Sequence, residues 1–109
     1  METTVRRLAK ILGASGVEGA GHDARFIVEG VNGDCLRVSV EGQQQRLMAV
    51  LQCSAGRTRA TVDVAPVSKV TEDVNVPGRA TLHIGHMLIH LDSDPALSIE
   101  IETSDEPPA

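Results

Sequence analysis

Apolar and polar residues alternate with a period of two from Arg25 to Val64, and this alternation restricts the fold more than any other feature. Successive side chains of a β-strand point to opposite faces, so the pattern describes strands with one face in a core and the other in water. Three turn signals interrupt it: Asn32-Gly33-Asp34, Gly42-Gln43 and Ala55-Gly56. The pattern predicts a four-stranded antiparallel meander over residues 25–64.

Each predicted hairpin has a register in which apolar residues face apolar residues. The first register sets Phe26 opposite Val40, and also sets Arg25 opposite Glu41. The remaining predicted pairs are Val28 with Val38, Glu29 with Arg37, Val38 with Leu47, Leu36 with Ala49, Leu47 with Val64, Ala49 with Val62, and Leu51 with Ala60. All of the apolar pairs lie on one inner face, which supports the meander. The alternative for residues 43–52 is a helix, because good helix formers are frequent there.

The segments around the meander differ in composition. Residues 1–12 form an amphipathic helix in this interpretation, with Val5, Leu8 and Leu12 on one side. Residues 13–24 contain four glycines and are interpreted as a Gly-rich connector. Residues 25–102 are predicted to form a single antiparallel β domain, and residues 103–109 a disordered acidic tail.

The second half of the chain predicts further strands. Residues 66–77 fit a short irregular strand, and residues 79–91 fit a long one. Apolar positions change parity near Gly85, which a β-bulge would explain. After a turn at residues 92–96, the last strand would pair Leu91 with Leu97, Ile89 with Ile99 and Met87 with Ile101. The expected fold is mainly β: a short N-terminal helix, then six to seven antiparallel strands in a meander, sandwich or partly open barrel.

The last predicted hairpin gathers most of the histidines beside acidic residues. Its outer face would pair His86 with Glu102, Leu88 with Glu100 and His90 with Ser98, and the bulge would bring His83 to the same side. Imidazole and carboxylate groups that share one face can bind a divalent ion such as Zn²⁺ or Ni²⁺. The candidate metal ligands are His83, His86, His90, Glu100 and Glu102.

Two other interpretations of this face stay open. An ordinary solvated strand face also carries polar residues, and cross-strand His/Glu pairs stabilise such a face without binding a metal. A proton-sensitive interface is the third interpretation, because a glutamate raises the pKa of a neighbouring imidazole.

The sequence contains partial matches to a nucleotide-binding motif and to a catalytic motif, but the elements around them do not suit either activity. Residues 19–24 match the letters of a dinucleotide-binding loop, but that loop follows a strand and precedes a helix, whereas here the order is reversed. His90, Asp92 and Ser93 are close in sequence without a nucleophile elbow or an oxyanion hole. Cys35 and Cys53 have no metal or redox spacing and are predicted on opposite faces. We assign no catalytic residue and no resident cofactor.

Composition narrows the class of partner. Phe26 is the only aromatic residue, so an aliphatic core buries less area per residue, and weak homodimerisation is expected. Acidic residues offset the arginines of the meander and no aromatic stacking platform accompanies them, which disfavours nucleic acid. No apolar run is long enough to span a membrane, and the cysteine usage favours the cytoplasm.

The predicted function is that of a small non-enzymatic binding or regulatory module. It would act through protein–protein contacts with an unknown partner, and as a possible weak homodimer. The alternative is a small divalent-metal- or ligand-binding domain that uses the His/Glu strand face.

Overall fold

The computed structural model describes residues 4–20, 23–41, 46–65, 67, 69–93 and 96–103. Within them lie one helix and nine strands: α1 (Thr4–Leu12), β1 (Glu18–Ala20), β2 (Asp23–Glu29), β3 (Cys35–Glu41), β4 (Arg46–Gln52), β5 (Thr58–Val64), β6 (Lys69–Glu72), β7 (Arg79–Ile84), β8 (Met87–Asp92) and β9 (Ser98–Thr103). The strands form two antiparallel sheets, ordered β1-β2-β3-β4-β5 and β6-β7-β8-β9. The predicted mainly β class is confirmed, and the sheets do not close into a barrel.

The predicted meander is present as β2 to β5, but two of its three registers differ from the prediction. Leu47 lies opposite Val64, as predicted. Phe26 lies opposite Val38 instead of Val40, because the first loop is centred on Asn32 and is closed by a 2.7 Å bond from the Gly30 N–H to the Asp34 carbonyl. Each strand keeps its inner face, since the shift is two residues.

The second hairpin shows the same two-residue shift. Val38 lies opposite Ala49 instead of Leu47, and Glu41 lies opposite Arg46. The predicted turn at Gly42-Gln43 falls outside the described residues. The segment that could have been a helix forms β4 from Arg46 onward, because its alternate residues Leu47, Ala49 and Leu51 are buried in the core.

The predicted long strand over residues 79–91 is wrong. It is two strands, β7 and β8, joined by a tight turn at Gly85 and His86, with Ile84 opposite Met87. Gly85 has a φ of +59°, a left-handed conformation that suits the first position of such a turn. A two-residue turn reverses the chain and changes the parity of the inner face, so no bulge is required.

The last hairpin has the predicted faces in a different register. Leu91 lies opposite Ile99 and Ile89 opposite Ile101, two residues away from the predicted pairs. The short strand predicted within residues 66–77 corresponds to β6. β1 lies within the predicted connector and pairs with the start of β2.

α1 and the two sheets share one core. The buried side of the helix consists of Val5, Leu8, Ala9 and Leu12. The helix contacts β2 and β3 of the first sheet and β6 and β7 of the second. These contacts determine which face of each sheet is turned inward, and the opposite faces are left for function.

Candidate functional site

His90 is the centre of a hydrogen-bonded group on the face of the second sheet that points away from the core. Its Nδ1 lies 2.9 Å from Thr81 Oγ1, and its Nε2 lies 3.0 Å from Glu102 Oε2. Thr81 is directly opposite His90 on β7, whereas Glu102 is reached diagonally on β9. The His90 side chain is 15% exposed and that of Glu102 is 66% exposed.

A neutral imidazole with its proton on Nε2 satisfies both of these contacts. The Nε2–H then donates to the Glu102 carboxylate, and Nδ1 accepts from the Thr81 hydroxyl. The order of hydroxyl, imidazole and carboxylate is that of a proton relay. Thr81 is only 8% exposed, however, which leaves its hydroxyl little access to a substrate. The group therefore fixes the orientation of the imidazole.

His83 lies beside a cation and not beside a glutamate. Its Nε2 is 2.9 Å from Thr71 Oγ1, and Lys69 lies directly opposite it on β6. Partial burial lowers the pKa of His83 below its ordinary value of 6.5, and the charges of Lys69 and His90 lower it further. The expectation that a neighbouring glutamate raises the pKa of the imidazole is wrong for His83. In the register of the sheet, Leu88 lies between His83 and Glu102.

The remaining candidate ligands are dispersed. His86 is exposed in the turn between β7 and β8, so its predicted pairing with Glu102 is wrong. Glu100 lies opposite His90 and makes no hydrogen bond or ion pair with a described residue. Of the five predicted ligands, His90 and Glu102 are in contact. No cluster of three or more histidine, cysteine or acidic residues that could hold a metal ion occurs in the described part of the chain. Metal binding stays a prediction.

An ion pair that the sequence patterns did not reveal lies beside this group. Arg79 Nε donates to Asp92 Oδ1 at 2.7 Å and its Nη2 to Asp92 Oδ2 at 3.1 Å. Ser98 Oγ donates to Asp92 Oδ2 at 3.0 Å, and Asp92 is 6% exposed. Asp92 raises the pKa of Arg79 above its ordinary value. Recognition of the turn at Gly85 would have placed these two residues opposite each other.

A second surface lies on the outward face of the first sheet. The segment 13–18 and strands β2 to β4 enclose an open groove of about 1000 Å³. Its apolar floor consists of Ile27, which is 45% exposed, and of Met48 and Val50, which are half-buried. In the sequence, each of these three residues is apolar at a position where the period-two alternation leads one to expect a polar residue.

Charged residues surround this apolar floor. Arg37 lies between Ile27 and Val50 in the register and makes no hydrogen bond or ion pair with a described residue. Arg25 contacts Glu18 at 3.4 Å, and both of these side chains are more than 70% exposed. Exposed pairs of this kind are weak and exchange partners readily. The arginines are therefore available to a bound partner.

Comparisons with protein-family models, with curated proteins and with solved structures find no match to this chain. Among the described residues, no helix is long and apolar enough to cross a membrane. Function is therefore inferred from the chemistry of the two outward faces.

We expect Asp92→Ala to lower the free energy of unfolding by about 1–3 kcal/mol, because it leaves the mostly covered Arg79 guanidinium unpaired. The matched control is Asp63→Ala, which removes a similar cross-strand pair with Arg46 that is about half exposed, and which should lower the free energy of unfolding by less than Asp92→Ala does. Urea unfolding measures both values. Equal losses in the two variants would show that the Arg79–Asp92 pair has no special role.

The lowered pKa of His83 predicts a pH dependence of stability. The unfolded chain binds a proton at His83 more readily than the folded chain, so the contribution of His83 is present above pH 6.5 and is lost as the pH falls through the folded-state pKa. His83→Gln should therefore reduce the slope of unfolding free energy between about pH 7 and pH 5. His86→Gln, in the exposed turn, is the control. An unchanged slope in His83→Gln would contradict the prediction.

Proposed function

We propose that this protein is a non-enzymatic binding module that acts through protein–protein contacts, with the outward face of the first sheet as its binding surface. The observation that carries the proposal is the groove floored by Ile27, Met48 and Val50. The outward face of an antiparallel sheet is usually polar, because it meets water. Here Met48 and Val50 are neighbours on β4, and Ile27 lies two strands away in the same groove. Apolar side chains at the centre of such a face favour a site that a partner covers.

The arrangement of charge specifies the partner further. Arg37 separates Ile27 on β2 from Val50 on β4, and Arg25 lies one row away. A partner surface with apolar side chains next to aspartate or glutamate would cover the floor and pair with these arginines. Such a combination of an apolar centre and charged surroundings is typical of transient protein interfaces.

A cytoplasmic location is part of the proposal. Both cysteines, Cys35 and Cys53, are free thiols in the structure. Free thiols persist in compartments in which glutathione and thioredoxin keep cysteines reduced.

Affinity capture from a lysate of the source cells tests the binding surface. Ile27→Asp places a charge on the apolar floor and should abolish retention of the partner, whereas Val74→Asp, at an exposed loop position 92% accessible to solvent, should not. Proteins held by the wild type and by Val74→Asp, but not by Ile27→Asp, are the expected result. Identical sets of proteins with all three baits would refute the proposed surface.

The same binding surface could also join two copies of this chain in a weak homodimer. Light scattering over a range of concentrations should then show a mass that rises toward twice that of the 11.5 kDa chain. Ile27→Asp should hold the mass at the monomer value if the groove is also the dimer interface.

The second candidate function is divalent-metal or ligand binding on the His/Glu face. The observation that favours it is the 3.0 Å contact between His90 Nε2 and Glu102 Oε2, two atoms that could coordinate one ion. Addition of Zn²⁺ at micromolar concentration should shift the imidazole NMR signals of His90, and Glu102→Gln should remove the shift. Signals that do not move at millimolar Zn²⁺ would rule out this candidate.

A further inference from the structure

β9 is the open edge of the second sheet. It pairs with β8 on one side and with no described strand on the other. Its last four residues, 100–103, are all exposed. An edge strand presents a row of N–H and C=O groups to solvent, and these groups can pair with another extended chain.

Of the features that commonly protect such edges, β9 has charged side chains, Glu100 and Glu102, but lacks others. The strand contains no proline and no lysine, and its register with β8 runs from Ser98 to Thr103 without a bulge. β5, an edge strand of the first sheet, differs in that its register shifts at Leu51/Gln52 and Arg59 projects from it. Of these two edges, β9 is the better template for an added strand.

The apolar layer of the second sheet is only partly covered at β9. Ile101 lies directly opposite Ile89 and on the same face, yet Ile89 is 0% exposed and Ile101 is 56% exposed. One more strand beside β9 would place an apolar side chain against Ile101. The apolar layer would then be completed over the edge.

The negative charges of β9 determine which residues a strand paired with it should carry. Glu100 and Glu102 project from the opposite face; within the described part of the chain Glu102 contacts His90, whereas Glu100 makes no hydrogen bond or ion pair. A second copy of β9 is a poor match: the antiparallel registers that join Ile101 to Ile101 or to Ile99 set glutamate opposite glutamate, which is destabilising. The complementary segment carries lysine or arginine at these positions.

We propose that β9 binds an extended segment of a partner protein in which apolar residues alternate with lysine or arginine. The backbone of the segment pairs with β9, its apolar residues cover Ile101, and its basic residues pair with Glu100 and Glu102. This site is separate from the groove of the first sheet and does not depend on it. Because the charges are exposed, binding weakens as salt is added.

NMR titration with synthetic peptides tests the site. An eight-residue peptide that alternates valine and lysine should slow amide exchange in β9, whereas a valine/glutamate peptide should have no effect. Glu100→Lys should weaken the valine/lysine peptide about tenfold or more. The control is Glu29→Lys, which changes the net charge of the protein by the same amount but lies at an exposed position of the first sheet.

Several outcomes would overturn the proposal. One is that neither peptide binds, and another is that both peptides bind equally well. A third is that Glu100→Lys and Glu29→Lys weaken binding of the valine/lysine peptide equally, and a fourth is that amide protection appears in β5 instead of β9. Ile27→Asp should bind the valine/lysine peptide like the wild type. Failure at this edge is therefore distinguishable from failure of the groove.

Discussion

Burial of one side of α1 against both sheets is the interaction on which the rest of the structure depends. Val5, Leu8, Ala9 and Leu12 join a core otherwise made of strand residues, with Phe26 as its only aromatic side chain. Aliphatic side chains bury less area than aromatic ones, so continuity across the helix and both sheets matters more here. Once the inner faces are buried, the groove and the His90 group must lie on the outward faces.

The division into inner and outer faces could be predicted from the sequence, whereas the registers could not. A two-residue slip preserves parity, so the alternation places Phe26 and Val38 on the correct face but gives them the wrong partners. Register depends on loop geometry, such as the bond between Gly30 and Asp34, and alternation alone does not encode that geometry.

The candidate site was less accessible to sequence reasoning because it depends on one turn. A bulge and a two-residue turn both explain the change of parity at Gly85, but only the turn moves His86 away from the sheet and sets Arg79 opposite Asp92. The contact between His90 and Glu102 follows from the shifted register of β9. The groove depends on where residues 13–18 lie, and these residues carry no period-two pattern.

Methyl NOE measurements test most directly whether α1 connects the two sheets. With labelled leucine, isoleucine and valine methyl groups, Leu8 should show NOEs to protons of β2 or β3 and also to protons of β6 or β7. NOEs to one sheet alone would contradict the shared core and the assignment of the outward faces that depends on it.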